Sequence, residues 1–203
     1  MYIETNRLLL RCFLPGDEEA LLRIKYDRQI LYYAPDLFQL DLTLEDAGEY
    51  IKTFNRYEQE GDIDPWRCYA IVEQSSGAIV GCICFGKHDM LFEYELGWMI
   101  LEEYSKKGYA SEAAAAFADY ICETHRIDYL IAVMDVDNPA SFRAAEKAGF
   151  KLFEKRTVYD YSYNRYGDDY YYLRRYAAKC TLTDKFYGDS PYEGRSVKGG
   201  DTQ

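Results

Sequence analysis

Apolar positions along this chain switch between two periods, and the switches mark its elements. Residues 6–13 mix β-formers with Arg7 and Arg11 and predict a first strand, which Pro15-Gly16 ends. Asp17 is placed to cap a helix with Glu18 and Glu19 in its first turn, and Leu21, Leu22 and Ile24 carry that helix towards about Tyr33. A second helix starts near Thr43, with Asp46 three residues on as a capping box. Ala47, Tyr50, Ile51 and Phe54 give it one apolar face, and 61–65 stops it. Strands at 66–73 and 78–86 flank Ser75-Ser76-Gly77 as a hairpin, and a third strand covers 91–100. The run 109–125 is helical, with Ala110, Ala113, Ala114, Phe117 and Ile121 on one face. Residues 128–136 form a near-continuous apolar strand, as a buried central strand requires. Asn138-Pro139 opens a short helix that Gly149 closes, and strands at 150–161 and 169–177 flank a turn-rich link at 164–168. The order βααβββαβαββ is that of an α/β protein with a mixed, mostly antiparallel sheet. Strand 91–100, helix 109–125 and strand 128–136 form one βαβ unit, so those two strands should be parallel.

Composition narrows this picture. With 203 residues, 48% hydrophobic and 29% charged, the chain suits one domain, 1–179. Residues 180–203 lose periodicity, gain glycine and read as a mobile tail. The net charge of −11 argues against a nucleic-acid partner and favours cationic ones. There are 22 tyrosines, eight of them at 159–176 beside Asp160, Asp168, Asp169, Arg165, Arg174 and Arg175. That segment reads as a two-faced hairpin, or as an aromatic-acidic wall for an amine. The six cysteines form no CxxC pair and only two histidines exist, so reduced core thiols and no metal are expected. Cys82 and Cys84 share a strand face. His88 is expected on the surface of a turn, and His125 beside a helix end. There is no apolar run of about 18 residues and no cleavable leader, so neither a membrane partner nor export is expected, and the location is read as cytoplasmic.

The candidate chemistry begins at Ser105-Lys106-Lys107-Gly108-Tyr109-Ala110-Ser111, between a strand and a helix. A glycine there lets backbone approach a ligand, the free N–H groups of the helix start favour an anion, and two lysines add charge. The plainer reading is a structural glycine beside a solvated lysine pair.

Taken together, the segments resemble the Gcn5-related N-acetyltransferase (GNAT) superfamily, and within it the ribosomal-protein alanine acetyltransferase (RimJ/RimL-like) branch. The opening ETNRLLLRCFLPGDEEAL resembles that branch's E-T-x-R-L-x-L-R start. SKKGYA resembles the acyl-CoA pattern Q/R-x-x-G-x-G/A, with Ser105 in place of Gln or Arg. VDNPASFRAAEKAGF matches a further stretch at Asn138, Ser141, Lys147, Gly149 and Phe150, and GDDYYYL resembles the final strand. The likeness spans about 4–177.

It implies a GNAT-type sheet with a splayed parallel pair, helices on both faces, and acetyl-CoA as cosubstrate. Lys106, Lys107, Gly108, Tyr109, Ala110 and Ser111 would hold the pyrophosphate, and backbone near Trp98, Met99 and Ile100 the pantetheine arm, with an oxyanion donor near Met99. Asn138 would serve the arm or cap a helix, and Lys147 belongs to the same stretch. Ser141 would give a proton to the leaving thiolate, or is a helix-surface serine. Glu95 would be the base, or is a salt-bridged strand carboxylate, with Glu93 on its face. The implied activity is acetyl transfer to a primary amine, either a protein N-terminus or a small cationic amine. The rival is a non-catalytic acyl-CoA-binding or regulatory protein on the same fold, and a longer acyl group would change the pocket alone. A monomer or a homodimer fits equally.

Overall fold

The computed structural model describes residues 1–34, 42–88, 91–160 and 165–180, the side chains of 158–160 and 165–168 excepted. Its strands are β1 (Tyr2–Glu4), β2 (Leu8–Cys12), β3 (Arg67–Glu73), β4 (Ile79–Lys87), β5 (Tyr94–Ile100), β6 (Tyr129–Asp135), β7 (Lys151–Asp160) and β8 (Arg165–Tyr176). They form one sheet in the order β1-β2-β3-β4-β5-β6-β8-β7. Each neighbouring pair is antiparallel except β5 and β6. The expected first strand is β2, and it gains a hairpin partner, β1, because Tyr2–Glu4 pairs back on Leu9–Arg11 across a short link. The expected tail lies outside the described residues, apart from Cys180.

Helices cover both faces. On one, α4 (Tyr109–His125) buries Ala113, Ala114, Phe117, Ala118 and Ile121 against Leu8, Tyr69, Phe85, Leu96 and Leu130. The alanines bring its axis close to the sheet, and Phe117 fills the gap beside Tyr69 and Phe85, with ring centroids at 5.1 and 6.2 Å. On the other face, α1 (Glu18–Lys25), α2 (Arg28–Tyr33) and α3 (Leu44–Glu60) pack Leu21, Ile24, Ile30, Ala47 and Ile51 over Ala70, Val72, Cys82, Cys84 and Met99. The capping box Thr43/Asp46 that starts α3 is formed, and Gly61 closes it at a left-handed φ of 68°.

The single helix expected from Asp17 to Tyr33 is two. Asp27 breaks it, since its carboxylate accepts the N–H groups of Gln29 and Ile30 and restarts the chain as α2. The other oxygen of Asp27 accepts from the Glu102 N–H at 2.9 Å. That contact fastens α2 to the one-turn 3-10 segment Glu102–Tyr104 that follows β5. The short helix α5 (Pro139–Lys147) packs beside α4.

Candidate active site

β5 and β6 register only at Glu95↔Ile131, so beyond that pair the parallel strands part. A cavity of about 620 Å³ fills the gap. Trp98, Met99 and Ile100 line it from β5, and Ala132 to Asp135 from β6. Gly108, Tyr109, Ala110 and Ser111 border it at the start of α4, and Lys106 lies just before them. Asn138, Ser141 and Lys147 border it from α5. The sequence-predicted residues therefore converge, Lys107 excepted. Lys106 takes a left-handed φ of 64°, and this bend turns the next residue out of the wall. The Lys107 ammonium lies over the Tyr104 ring at 4.9 Å, and its carbonyl accepts from Arg7 at 2.8 Å.

The α4 terminus faces the cavity without a side-chain cap. Gly108 occupies the N-cap position at φ 81° and ψ 11° and, having no side chain, leaves the first-turn N–H groups uncapped. A helix of 17 residues focuses partial positive charge there. Behind it, Glu112 accepts from Thr5 Oγ1 at 2.6 Å and from Arg7 Nε at 2.7 Å, while the Arg7 guanidinium lies 4.8 Å from the Tyr109 ring. This gives physical content to the E-T-x-R opening, whose Thr and Arg clamp the turn from the far end of the chain. Sequence reasoning assigned them no role, because their partner is 107 residues away from Thr5.

Glu95 sits where the strands begin to part. Its side chain is only 13% exposed and reaches the cavity. Burial pushes its carboxyl up to about 8, against the opposing pull of a hydrogen bond from the Val133 backbone. His88 Nε2 lies 3.9 Å from its Oε2, and His88 Nδ1 accepts the Leu91 N–H at 3.3 Å, which leaves the ring proton on Nε2. The histidine expected on a turn surface therefore stands beside the buried carboxyl, because His88 continues β4 opposite Glu93, its N–H bonded to the Glu93 carbonyl, and shares the face of Gly86 and Glu95. Glu93 is committed elsewhere, accepting from Tyr129 at 2.8 Å and Arg174 at 2.7 Å. The ion-paired strand carboxylate is Glu93, not Glu95.

Asn138 caps α5, its Oδ1 accepting the Ser141 N–H at 3.0 Å. Its amide nitrogen takes no part in that cap. Ser141 occupies the first turn of α5 and borders the cavity. The charged residues of the lining are Lys106, Arg143 and Lys147 on one side of the balance and Glu95 and Asp135 on the other.

Sequence reasoning missed the rim formed by Gln29 and Tyr33 of α2 and by Trp66. Tyr33 reaches the Asp137 carbonyl at 3.4 Å, across the mouth from α2 to the β6–α5 link. The Asp27 cap was the legible signal for α2. The acidic wall expected at 159–176 loses Asp169, which is paired to Lys155 and bonded by Thr157, contacts that hold its carboxyl below the ordinary range. Arg174 serves Glu93 and Arg175 serves Asp119. The side chains of Asp160, Arg165 and Asp168 lie outside the described residues. His125 stands in the last turn of α4, as expected beside a helix end, and burial lowers its imidazole pKa.

Residues 7–151 match the acetyltransferase (GNAT) domain family. An uncharacterized N-acetyltransferase of Bacillus subtilis, YnaD, is 30% identical over 174 residues, 85% of this chain and 95% of that protein. The solved GNAT-family acetyltransferase from Bacillus anthracis is 28% identical with a TM-score of 0.70, over 87% of this chain and 98% of that one. At 18% identity, RimL, a ribosomal L7/L12 alpha-N-protein acetyltransferase solved with coenzyme A, shares the fold with a TM-score of 0.72, over 87% and 98%. A parted parallel strand pair, an uncapped helix start beside it and a sequence matched across most of its length lead to one assignment: this chain belongs to the GNAT acetyltransferase family.

Proposed function

We propose that the protein transfers an acetyl group from acetyl-CoA to a primary amine, a protein N-terminus or a small cationic amine, by direct attack. The observation that carries this is the buried Glu95 carboxyl, which opens into the same cavity as the uncapped start of α4. The residues fit the cosubstrate. Free N–H groups with Lys106 and Lys147 suit a pyrophosphate, and the unpaired edges of β5 and β6 suit an amide-bearing arm. Bound there, acetyl-CoA supplies an activated acyl carbonyl.

The chain's own part is proton handling and positioning. An amine is protonated near pH 7, and Glu95, with a pKa close to 8, is a strong enough base to take its proton directly or through water. The Nε2–H of His88 faces Glu95 Oε2 at 3.9 Å and favours the ionised carboxylate that takes up the proton. Backbone donors on the parted edge of β5, near Met99, meet the developing oxyanion, and the Ser141 hydroxyl gives a proton to the departing thiolate. Gln29, Tyr33 and Trp66 border the mouth by which the amine enters.

The experiment is acetyl-CoA turnover over a panel of small amines and N-terminal peptides, read by product mass. Acetylated product that disappears with Glu95→Gln supports the reading. Tight acetyl-CoA binding with no product on any acceptor returns the non-catalytic alternative.

A further inference from the structure

Cys68, Cys82 and Cys84 are separated in sequence, but the β3–β4 ladder gathers them. Cys68 stands opposite Cys84, and Cys82 lies two residues along the same face of β4. Their three sulfurs lie within 4.8 Å of one another, and Cys82 and Cys84 are 3.9 Å apart. All three are free thiols. Two thiolates bonded at about 2.3 Å to one tetrahedral cation stand about 3.8 Å apart, which is the spacing of Cys82 and Cys84, and Cys68 lies within 4.8 Å of both. Cys82 and Cys84 are buried beneath α1–α3, with Ala70 and Met99 in the same cluster, and Cys84 also lines the cavity between β5 and β6.

We propose that Cys68, Cys82 and Cys84 form a three-thiolate site for one thiophilic divalent cation, Zn(II), with its fourth position open to the cavity through Cys84. Three soft donors without oxygen select against magnesium and calcium. The charge balance selects the divalent ion over a monovalent one, since three thiolates around Zn(II) leave a single net negative charge in an apolar layer. Binding breaks three S–H bonds, forms three Zn–S bonds and releases three protons to solvent, with no change of oxidation state. The absence of CxxC had argued against zinc, but an antiparallel ladder supplies by pairing what spacing along one strand does not. The site uses none of the residues assigned to acetyl transfer.

The test uses the full chain, reduced and stripped of metal. Zn(II) titration followed by dialysis is expected to give one ion per chain and a raised Tm. Cys68→Ser, Cys82→Ser and Cys84→Ser should each weaken binding at least about a hundredfold, more than losing a supporting hydrogen bond costs a metal site. Cys122→Ser should bind as wild type. Retention of tight binding by Cys84→Ser, or its loss in Cys122→Ser, overturns the site. Should the serine variants fail to fold, X-ray absorption on the wild-type zinc complex decides. Three sulfurs and one lighter donor support the assignment, and two or fewer sulfurs, or no bound zinc, refute it.

Discussion

Glu95 is the residue whose surroundings matter most, because its chemistry and its effect on stability have opposite signs. Its carboxyl titrates near 8 in the folded protein against an ordinary value of 4.5. The folded state therefore keeps a proton that the unfolded chain releases, and stability falls as pH rises from 4.5 towards 8, the full cost being present above 8. Glu95→Gln removes that cost and keeps an acceptor for the Val133 N–H. Its Tm should match wild type near pH 4.5 and exceed it above pH 8, by a few kcal/mol of stability. Its turnover should fall about a hundredfold or more, and wild-type turnover should climb with pH to a plateau above about 8. A variant no more stable at alkaline pH, or as active as wild type, would remove Glu95 as the buried base. Ser141 makes a separate claim. Ser141→Ala should slow turnover roughly ten- to a thousandfold. Acetyl-CoA affinity should stay within about threefold, a change under ~1 kcal/mol. Unchanged turnover would leave it a helix residue.

At the scale of elements, the working part is the β5–α4 turn. Gly108 holds a left-handed conformation in which a Cβ would meet Arg7 at 3.5 Å, so the space is tolerable and the backbone strain is not. Gly108→Asp adds that strain and a negative charge where the helix start presents positive charge. Acetyl-CoA should raise the Tm of wild type and leave that of Gly108→Asp unchanged. An equal rise in both would move the phosphate cradle elsewhere. The turn does not stand alone. Thr5 and Arg7 hold Glu112 from behind, and Asp27 ties the Glu102 N–H to α2. One short connection thus fixes the α4 end of the cavity and ties it to α2.

For the whole molecule, charge sets the expectation. A net charge of −11 attracts a cationic acceptor, and the long-range part of that attraction is screened within about 10 Å at 0.1 M salt. The KM of a cationic amine should therefore rise between low and high salt while kcat changes little, as a steady-state comparison at two ionic strengths would show. A salt-independent KM, or a preference for anionic acceptors, would contradict the cationic-acceptor reading. No helix among the described residues is long and apolar enough to cross a membrane.

What the sequence determined by itself was what depends on neighbours in the chain. Residues 109–125 were legible as a helix to the residue, because its apolar period, its preceding glycine and its alanines are local facts. The parallel pair followed from the βαβ order, and the strand-to-helix turn at Gly108, proposed as the phosphate cradle, from its glycine. Tertiary structure decided what depends on partners far along the chain. It showed that Glu93 is ion-paired and Glu95 is not, since Arg174 lies 81 residues from the one and burial surrounds the other. It brought His88 to the carboxyl, set α2 at the mouth and gathered three cysteines from two strands. Periodicity reports which face a residue takes. Which group waits on that face, and whether water reaches it, is set by strand pairing and packing, and those decide a pKa, a charge partner or a metal site.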